Sequence, residues 1–428
     1  MNRTILRGVG VVVVLGAYPA SADEPLELDA ILAAAEAANP EIRAFEQRLH
    51  ALEHVPSQAQ ALPDPLASIS YTNESLSELT LGSTDDSNLT VSWLQELPYP
   101  GKRRLAGDVA RAEIEVAARS VETVRLRVHA EVKTLYGELY RLDRSRAILE
   151  ESLKLLASFE EGTRARYETG EGVLESVLRA QTEITRLDAR LATLAQERRS
   201  AVAALNAVCG RSEDARLGPA MTLPPTRWAD RQALERMALD RSPELLTLEA
   251  SVRREGRRVD LAQKDLKPDF MWGASYANRG GLDPMVMGMF GVRLPLYRQR
   301  KQDQALEQTR FEEEAARLDL ESRRIGVLAE VRDLVARAER AETLTTLYRD
   351  GVLPQEQSAL AAAAAAYTNA QVEFITLLDV FRSLLDDEIE YETQRAEQVQ
   401  VLATLEALTG ARLVLGGDEP AEAAVGHE

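Results

Sequence analysis

The sequence predicts a mainly α-helical fold with a smaller β component, built from two tandem repeats. Landmarks recur in the same order about 200 residues apart, as Tyr167 and Tyr367 do, which far exceeds the 20–50-residue unit of a solenoid. Aromatic residues make up only 5% of the chain, and Ala, Leu, Glu and Arg dominate, a composition typical of long helices. Each half also contains two short segments in which polar and apolar residues alternate, the pattern of a strand.

The two copies share further landmarks, which keep the same order: Asn39-Pro40 recurs as Ser242-Pro243, Leu97-Pro98 as Leu294-Pro295, and the segment from Leu205 as the segment from Leu405. We therefore predict a first repeat over 23–210, a connector over 211–232 and a second repeat over 233–412. The Gly-, Glu- and Ala-rich segment 413–428 is predicted to be a disordered tail.

The N-terminus has the pattern of a secretory signal peptide. Arg3 and Arg7 precede a short apolar run, and Ala20-Ser21-Ala22 follows it, so residues 1–22 are predicted to be removed on export. The apolar run is shorter than the roughly 20 residues that span a membrane as a helix. The single cysteine, Cys209, excludes an internal disulfide and is most often a buried small apolar residue.

Each repeat is predicted to begin with a helix that starts at a proline, where the missing N–H costs nothing. Two strands follow, at 66–73 and 88–97 in the first half and at 270–278 and 285–296 in the second. Their lengths approach that of a tilted membrane-spanning β-strand. They carry Trp93, Tyr71, Trp272 and Tyr276, as an interfacial aromatic girdle requires, although a small soluble hairpin remains an alternative.

A helical hairpin follows each pair of strands. The long helices are predicted at 102–168 and 299–366, and their partners at 174–208 and 374–408. In the first long helix, apolar residues recur with a spacing of three and four, the seam of a coiled coil: Val121, Val124, Val128, Val132, Leu135, Leu139 and Leu142. Pro354 is expected to kink the second long helix or to change its register.

Four strands in one chain cannot form a closed membrane barrel. An open sheet in lipid would leave backbone groups unpaired at its edges, and known barrels begin at eight strands. Several chains must therefore share one barrel, and both a dimer with eight strands and a trimer with twelve satisfy this condition. The predicted fold is thus an α-helical barrel with a shared transmembrane β-barrel to which each chain gives four strands. The net charge of −18 argues against a nucleic acid partner.

The chain resembles the TolC family of outer-membrane efflux channels over nearly all of its mature length. The features that carry the resemblance are Leu28-Asp29-Ala30-Ile31 with Asn39-Pro40, the strand exit Leu97-Pro98-Tyr99-Pro100-Gly101-Lys102-Arg103, the tip segments Tyr167-x-x-Gly170 and Tyr367-x-x-Ala370, and Leu408-Thr409-Gly410. The resemblance implies a homotrimer in the outer membrane of a Gram-negative bacterium, with a periplasmic helical tunnel. It also implies a periplasmic adaptor and an inner-membrane pump of the RND type as partners.

The strand exit resembles the heavy-metal-efflux (CusC- and CzcC-like) branch, which implies heavy-metal cations as cargo. Drug efflux and type I protein secretion remain alternatives within the channel class. A soluble periplasmic coiled-coil adaptor or scaffold is a further alternative, which explains the helices but not two matched hairpins. The sequence contains no phosphate loop, metalloprotease motif or nucleophile elbow, so neither an enzyme nor a cofactor is predicted.

The resemblance implies a periplasmic gate at the two helical tips, where acidic side chains form a cation-attracting ring. Asp379 matches one acidic gate position, whereas Thr376 and Val372 stand where the family carries another Asp and an Arg. The other acidic candidates are Glu373, Glu171 and Glu175, for each of which a solvated surface charge is the alternative. The tip residues that resemble the adaptor-docking motifs are Gly170, Leu174, Leu178, Phe374 and Leu378, with packing inside the coiled coil as the alternative.

Two sets of residues have the spacing of metal ligands. His50 and His54 are four residues apart on a predicted helix, a spacing that can chelate, but no third ligand is visible nearby. Met285, Met287 and Met289 alternate on one face of a predicted strand. Their thioethers suit Cu(I), whereas methionine is also an ordinary apolar filler.

Overall fold

A computed structural model of the protein describes residues 25–73, 80, 81, 84 and 86–415. The predicted signal peptide over 1–22 and residues 416–428 of the predicted tail lie outside these residues. The described helices are α1 (Leu28–Ala38), α2 (Pro40–Glu53), α3 (Val55–Gln60), α4 (Lys102–Glu168), α5 (Leu174–Val208), α6 (Arg231–Arg241), α7 (Pro243–Lys264), α8 (Gln302–Leu347), α9 (Leu353–Thr368) and α10 (Phe374–Thr409). Among the described residues, no helix combines the length and the apolar character that crossing a membrane requires.

The four described strands form one antiparallel sheet in sequence order. They are β1 (Leu66–Thr72), β2 (Asn88–Leu97), β3 (Asp269–Arg279) and β4 (Leu282–Arg293). The central pair, β2 and β3, joins the hairpin of the first repeat to the hairpin of the second. The fold is therefore mainly α with a small sheet, as predicted.

The chain divides into two compact units, and each takes segments from both sequence repeats. The first, here called the helical unit, comprises residues 25–31, Leu135–Pro224 and Leu344–Ala396. It contains the ends of both helical hairpins. The second, here called the sheet unit, comprises Leu32–Thr134, Pro225–Thr343 and residues 397–415. It contains the whole β-sheet.

The predicted coiled-coil seam of α4 is confirmed. Six of its seven apolar residues are buried, and Leu135 is half-buried. In the helical unit, α4, α5, α9 and α10 enclose a common apolar core, whose buried members are Leu149, Leu156, Ala180, Leu187, Leu360, Phe374, Leu377, Leu378, Phe381, Leu384 and Leu385.

The second long helix changes its winding just before Pro354, as predicted. The helix α8 passes into a π-helical segment, Tyr348–Val352, and α9 begins at Leu353 with Pro354 in its first turn. Proline has no N–H to donate to the preceding turn. A π-helical turn is one way in which a helix absorbs such a local change of register.

The second β-hairpin is longer and tighter than predicted. The predicted loop over 279–284 is wrong, because only Gly280 and Gly281 separate β3 from β4. Gly280 has a φ of +61°, which a two-residue hairpin turn favours and which glycine adopts without strain. Pro284 therefore lies in β4, and a sheet tolerates it there because β4 is an edge strand.

The predicted disordered tail begins too early, since residues 413–415 are ordered and buried. The Glu406 carboxylate accepts hydrogen bonds from the backbone N–H groups of Leu413 and Val414, at 2.6 and 2.8 Å. Buried Lys133 pairs with Glu406 and also donates to the Val414 carbonyl. These bonds satisfy backbone groups that are removed from water, and they fix the segment against the sheet unit.

The two helical tips, between α4 and α5 and between α9 and α10, have the same backbone design but different residues. Gly170 has a φ of +78°, and Ala370 at the equivalent position has a φ of +57°. Each N–H at these positions bonds back to a tyrosine carbonyl, Tyr167 or Tyr367, at 3.1 and 3.0 Å. Left-handed backbone at such a helix C-terminus is favourable for glycine and strained for alanine.

We expect opposite stability effects from exchanging these two residues. Ala370→Gly should stabilise the fold by about 1 kcal/mol, and Gly170→Ala should destabilise it by about 1 kcal/mol. An added Cβ at Gly170 would meet no atom within 4 Å, so backbone strain alone is tested. Thermal unfolding followed by circular dichroism measures both effects.

Gly162→Ala provides the control, because Gly162 lies inside α4 and also has free space around its Cβ position. There the same substitution should stabilise by about 1 kcal/mol through helix propensity. Equal effects at Gly162 and Gly170 would contradict the strain argument.

Candidate functional site: the sheet faces and the helical tips

The pairing register gives the sheet one continuous apolar face, here called the aromatic face. Ile69, Val91, Tyr276 and Val286 form one row across all four strands. All four are exposed, Ile69 at 73% and Val286 at 79%. An exposed apolar surface of this kind marks contact with another molecule or with lipid.

Aromatic side chains concentrate on this face. Trp93, Tyr71, Trp272 and Tyr276 all lie on it, as the register shows. The rings of Trp93 and Trp272 meet edge to face, with centroids 4.5 Å apart. Phe290 of β4 is 69% exposed on the same face. The four predicted girdle residues are therefore together on one surface.

The opposite surface, here called the polar face, carries the alternate residues of each strand. One of its rows reads Ser68, Ser92, Ser275 and Met287, and the next reads Ser70, Thr90, Ala277 and Met285. The Ser68 and Ser92 hydroxyls are hydrogen-bonded at 2.7 Å. Met289 belongs to this face as well, in the row of Leu66, Leu94 and Gly273, so two of the three predicted methionines share rows with serine or threonine.

Both outer strands keep one backbone edge unpaired within the described residues. The strand β1 pairs only with β2, and β4 pairs only with β3. Each outer edge thus presents a row of N–H and C=O groups to which a further strand can bind.

The acidic gate candidates are exposed at the tips of the helical unit. Glu373 and Glu171 are exposed, and Glu175 forms a surface pair with Arg179 at 2.7 Å. The Asp379 carboxylate is exposed, 3.7 Å from the Arg382 guanidinium. All four side chains are therefore exposed, two of them beside an arginine, and their place in a shared opening remains a prediction.

The docking candidates divide between the two tips. In the first tip, Leu174 and Leu178 are 48% and 52% exposed, and Val173 beside them is 60% exposed. In the second tip, the equivalent Phe374 and Leu378 are each only 2% exposed and belong to the apolar core. The prediction that Phe374 and Leu378 form a docking surface is wrong, because they pack inside the helical unit. Leu174, Leu178 and Gly170 remain available to a partner.

The two hairpins are joined by polar contacts that the sequence did not indicate. The Arg382 guanidinium of α10 donates to the buried Glu183 carboxylate of α5, which Arg186 also contacts at 3.2 Å. Burial by itself raises the pKa of Glu183, but the hydrogen bond and charge of Arg382, with those of Arg186, outweigh burial and lower it. The partners lie in different repeats, so no local spacing could have identified them.

A second link joins the tips themselves. Arg166 of the first hairpin donates to the Tyr367 carbonyl and stacks over the Tyr367 ring, with its guanidinium carbon 5.0 Å from the ring centre. The Tyr367 hydroxyl is hydrogen-bonded to that of Thr163 at 3.0 Å. Tyr367 was noted as a family landmark, whereas its two partners were missed.

The histidine pair gains no further ligand. His50 is exposed and bonded to Glu53 at 3.1 Å, and His54 lies exposed at the junction of α2 and α3. Among the described residues, no three His, Cys, Asp or Glu side chains are grouped so that they could hold a metal ion.

Comparison with known proteins identifies a family. The sequence model of the outer membrane efflux protein family matches residues 31–211 and 234–411, which is more than half of the chain. The family model describes an efflux protein and not an enzyme, in agreement with the sequence prediction. No curated protein sequence matches this chain.

Several solved structures share the fold. The outer membrane protein VceC from Vibrio cholerae is 18% identical, with a TM-score of 0.75 over 92% of this chain and 97% of that one. A membrane protein from Pseudomonas aeruginosa is 17% identical, with a TM-score of 0.77 over 96% and 100%. CusC is 15% identical, with a TM-score of 0.76 over 89% and 92%. These similar scores come from different proteins and single out no branch of the family.

The Arg382–Glu183 link makes a prediction that depends on pH. Arg382→Ala should destabilise the fold by about 2 kcal/mol at pH 7, less than the roughly 3–5 kcal/mol of a fully buried pair, because Arg382 is one-third exposed. The pKa of Glu183 is lowered in the folded protein. The stabilisation that the Arg382–Glu183 pair gives is therefore fully present above the usual carboxyl pKa, and it is lost as the pH falls through the lowered pKa of the folded state. The difference from wild type should therefore shrink in acid.

Denaturant unfolding between pH 7 and pH 3 measures this effect. Arg179→Ala is the control, because its exposed pair with Glu175 is worth at most about 0.5 kcal/mol. A loss at Arg382 no larger than the loss at Arg179 would show that the link does not join the hairpins energetically.

Proposed function

We propose, from the premise that this chain belongs to the outer membrane efflux protein family, that it is a passive channel of the outer membrane. The carrying observation is the two-faced sheet. Its aromatic face is apolar and exposed on all four strands, which suits contact with lipid. Its polar face carries serine, threonine and methionine, which suits a water-filled interior.

We propose that three copies share the barrel. A chain that brings four strands and two unpaired edges to a bilayer must find partners for those edges. Three copies give twelve strands, a number that leaves a channel wider than the side-chain-filled interior of eight. The family resemblance supports three copies over two.

An unpartnered stripe on α8 supports self-association. Phe311, Leu318 and Ile325 recur every seven residues, and they are 73%, 56% and 66% exposed. Apolar residues at this spacing form the seam along which helices pack. A neighbouring copy of the chain is the partner that the proposed trimer supplies.

The partners we propose are a periplasmic adaptor and an inner-membrane RND-type pump. The exposed Val173, Leu174 and Leu178 of the first tip form the apolar surface on which the adaptor would dock. Since a passive channel supplies no energy, the pump must drive export. A soluble coiled-coil adaptor, the alternative reading of the helices, would leave the aromatic face in water.

For the cargo we propose heavy-metal cations. Two observations support this cargo: the strand exit Pro100-Gly101-Lys102-Arg103 resembles the heavy-metal-efflux branch, and the net charge of −18 is compatible with a cation route. Drug efflux and type I secretion remain alternatives for the cargo, and the test below separates metal efflux from drug efflux.

The purified chain should form a detergent-stable trimer and conduct ions in planar bilayers. In a Gram-negative host, it should remain in the membrane fraction after carbonate washing. A chain that washes off as a soluble monomer would favour the adaptor alternative.

Deletion in the native host should lower tolerance to metal salts, whereas lowered tolerance to drugs alone would reassign the cargo.

Asp379→Asn should reduce the preference of the channel for cations. Three copies place three Asp379 carboxylates around one opening, and removing them weakens the attraction for cations there. Reversal potentials in asymmetric KCl and block by divalent cations measure this preference. Asp350→Asn, an equal charge change at an exposed residue paired with Arg349, should leave both unchanged. Unchanged values for Asp379→Asn would remove it from the gate.

A further inference from the structure

We infer that the methionines of the polar face form a binding site for soft monovalent cations such as Cu(I) and Ag(I). Four of the seven methionines of the chain lie in β3 and β4, within a span of 19 residues. They are Met271, Met285, Met287 and Met289. The inference rests on the proposed function only in assigning this face to the channel interior.

The pairing register puts all four methionines on the polar face. Met287 lies in the row of Ser275 and Ser92, and Met285 in the row of Ala277 and Thr90. The neighbouring β4 side chains on the aromatic face are Val286 and Phe290. If the methionines served only as apolar filler, they would be expected on the same face as these two residues. The methionines alternate with them instead, on the face that also carries Ser68, Ser92 and Ser275.

The spacing along and across the strands allows the methionine side chains to approach one another. Residues two apart on a strand are separated by about 6.6–6.8 Å, a gap that neighbouring unbranched methionine side chains can close around one ion. Met271 extends the row from the adjacent strand, since its side chain lies against Gly291, and its sulfur is 3.0 Å from the position that a Cβ would take there. Met271 and Met289 are thus diagonal neighbours, at a separation that long side chains can bridge.

The side chains are also accessible and chemically selective. Met285, Met287 and Met289 are each between 49% and 59% exposed. Thioether sulfur is a soft, uncharged ligand that favours Cu(I) over hard divalent ions. The absence of any three-residue His, Cys, Asp or Glu metal group among the described residues leaves thioethers as the donors for which this chain offers a cluster. Three copies of the row would line one interior.

Calorimetric titration of the purified full-length chain with Ag(I), in chloride-free buffer, tests the site. Every variant carries Cys209→Ala, because a thiol would bind the same ion. We expect saturable Ag(I) binding that weakens at least tenfold in Met285→Leu/Met287→Leu/Met289→Leu and weakens partly in Met287→Leu. Leucine keeps the apolar volume, so folding should persist. Met221→Leu, an exposed methionine outside the sheet, should bind as the parent does.

Equal Ag(I) binding by the parent and a folded triple variant, or none by the folded parent, would overturn the site. Zn(II) binding as tight as that of Ag(I) would overturn the assignment to soft cations. Planar-bilayer conductance separates this inference from the channel proposal. If the parent conducts current but binds Ag(I) as the triple variant does, the channel proposal stands and the methionine site is rejected. If the parent binds Ag(I) through these methionines but conducts no current, the methionine site stands and the channel proposal is rejected.

Discussion

The unpaired backbone edges of the four-stranded sheet are the constraint on which the rest of the molecule depends. Within a single chain, β1 and β4 each leave one row of N–H and C=O groups without a strand partner. Water can satisfy those groups, but water cannot cover the exposed aromatic face without cost. A lipid surface covers that face but leaves the edges unsatisfied. In the proposed assembly, copies of the chain join edge to edge, which meets both demands together.

The duplication explains how one chain brings two hairpins to that assembly, and the later divergence of the copies explains their different uses. The central pairing of β2 with β3 joins the two copies in one sheet. In the helical unit, Arg382–Glu183 and Arg166–Tyr367 join the two helical hairpins. The copies are thus held together by contacts that neither could make alone. Such contacts make the chain, and not the repeat, the folding unit.

The sequence predicted most element boundaries because the signals for them are local. Alternating polar and apolar residues marked β2 from Leu89 to Trp93, and the residues between α4 and α5 marked the end of one helix and the start of the next. The pairing register was not predictable, because it joins residues such as Val91 and Tyr276 from different repeats. For the same reason, the sequence could not separate Phe374 and Leu378, which are buried, from Leu174 and Leu178, which are exposed. The composition of the tail did not reveal that segment 413–415 is ordered, because its order depends on two specific side chains: Lys133, far back along the chain, and Glu406 of α10.

The unequal burial of the two tips has a consequence for symmetry. In the proposed trimer, six helical tips of nearly identical backbone shape would be present, but only the three first tips would carry exposed Val173, Leu174 and Leu178. Such a ring of tips would be pseudo-sixfold in shape and strictly threefold in chemistry. A six-membered partner ring of identical subunits would meet two kinds of contact in alternation, so its subunits would bind as three equivalent pairs, each with two inequivalent members.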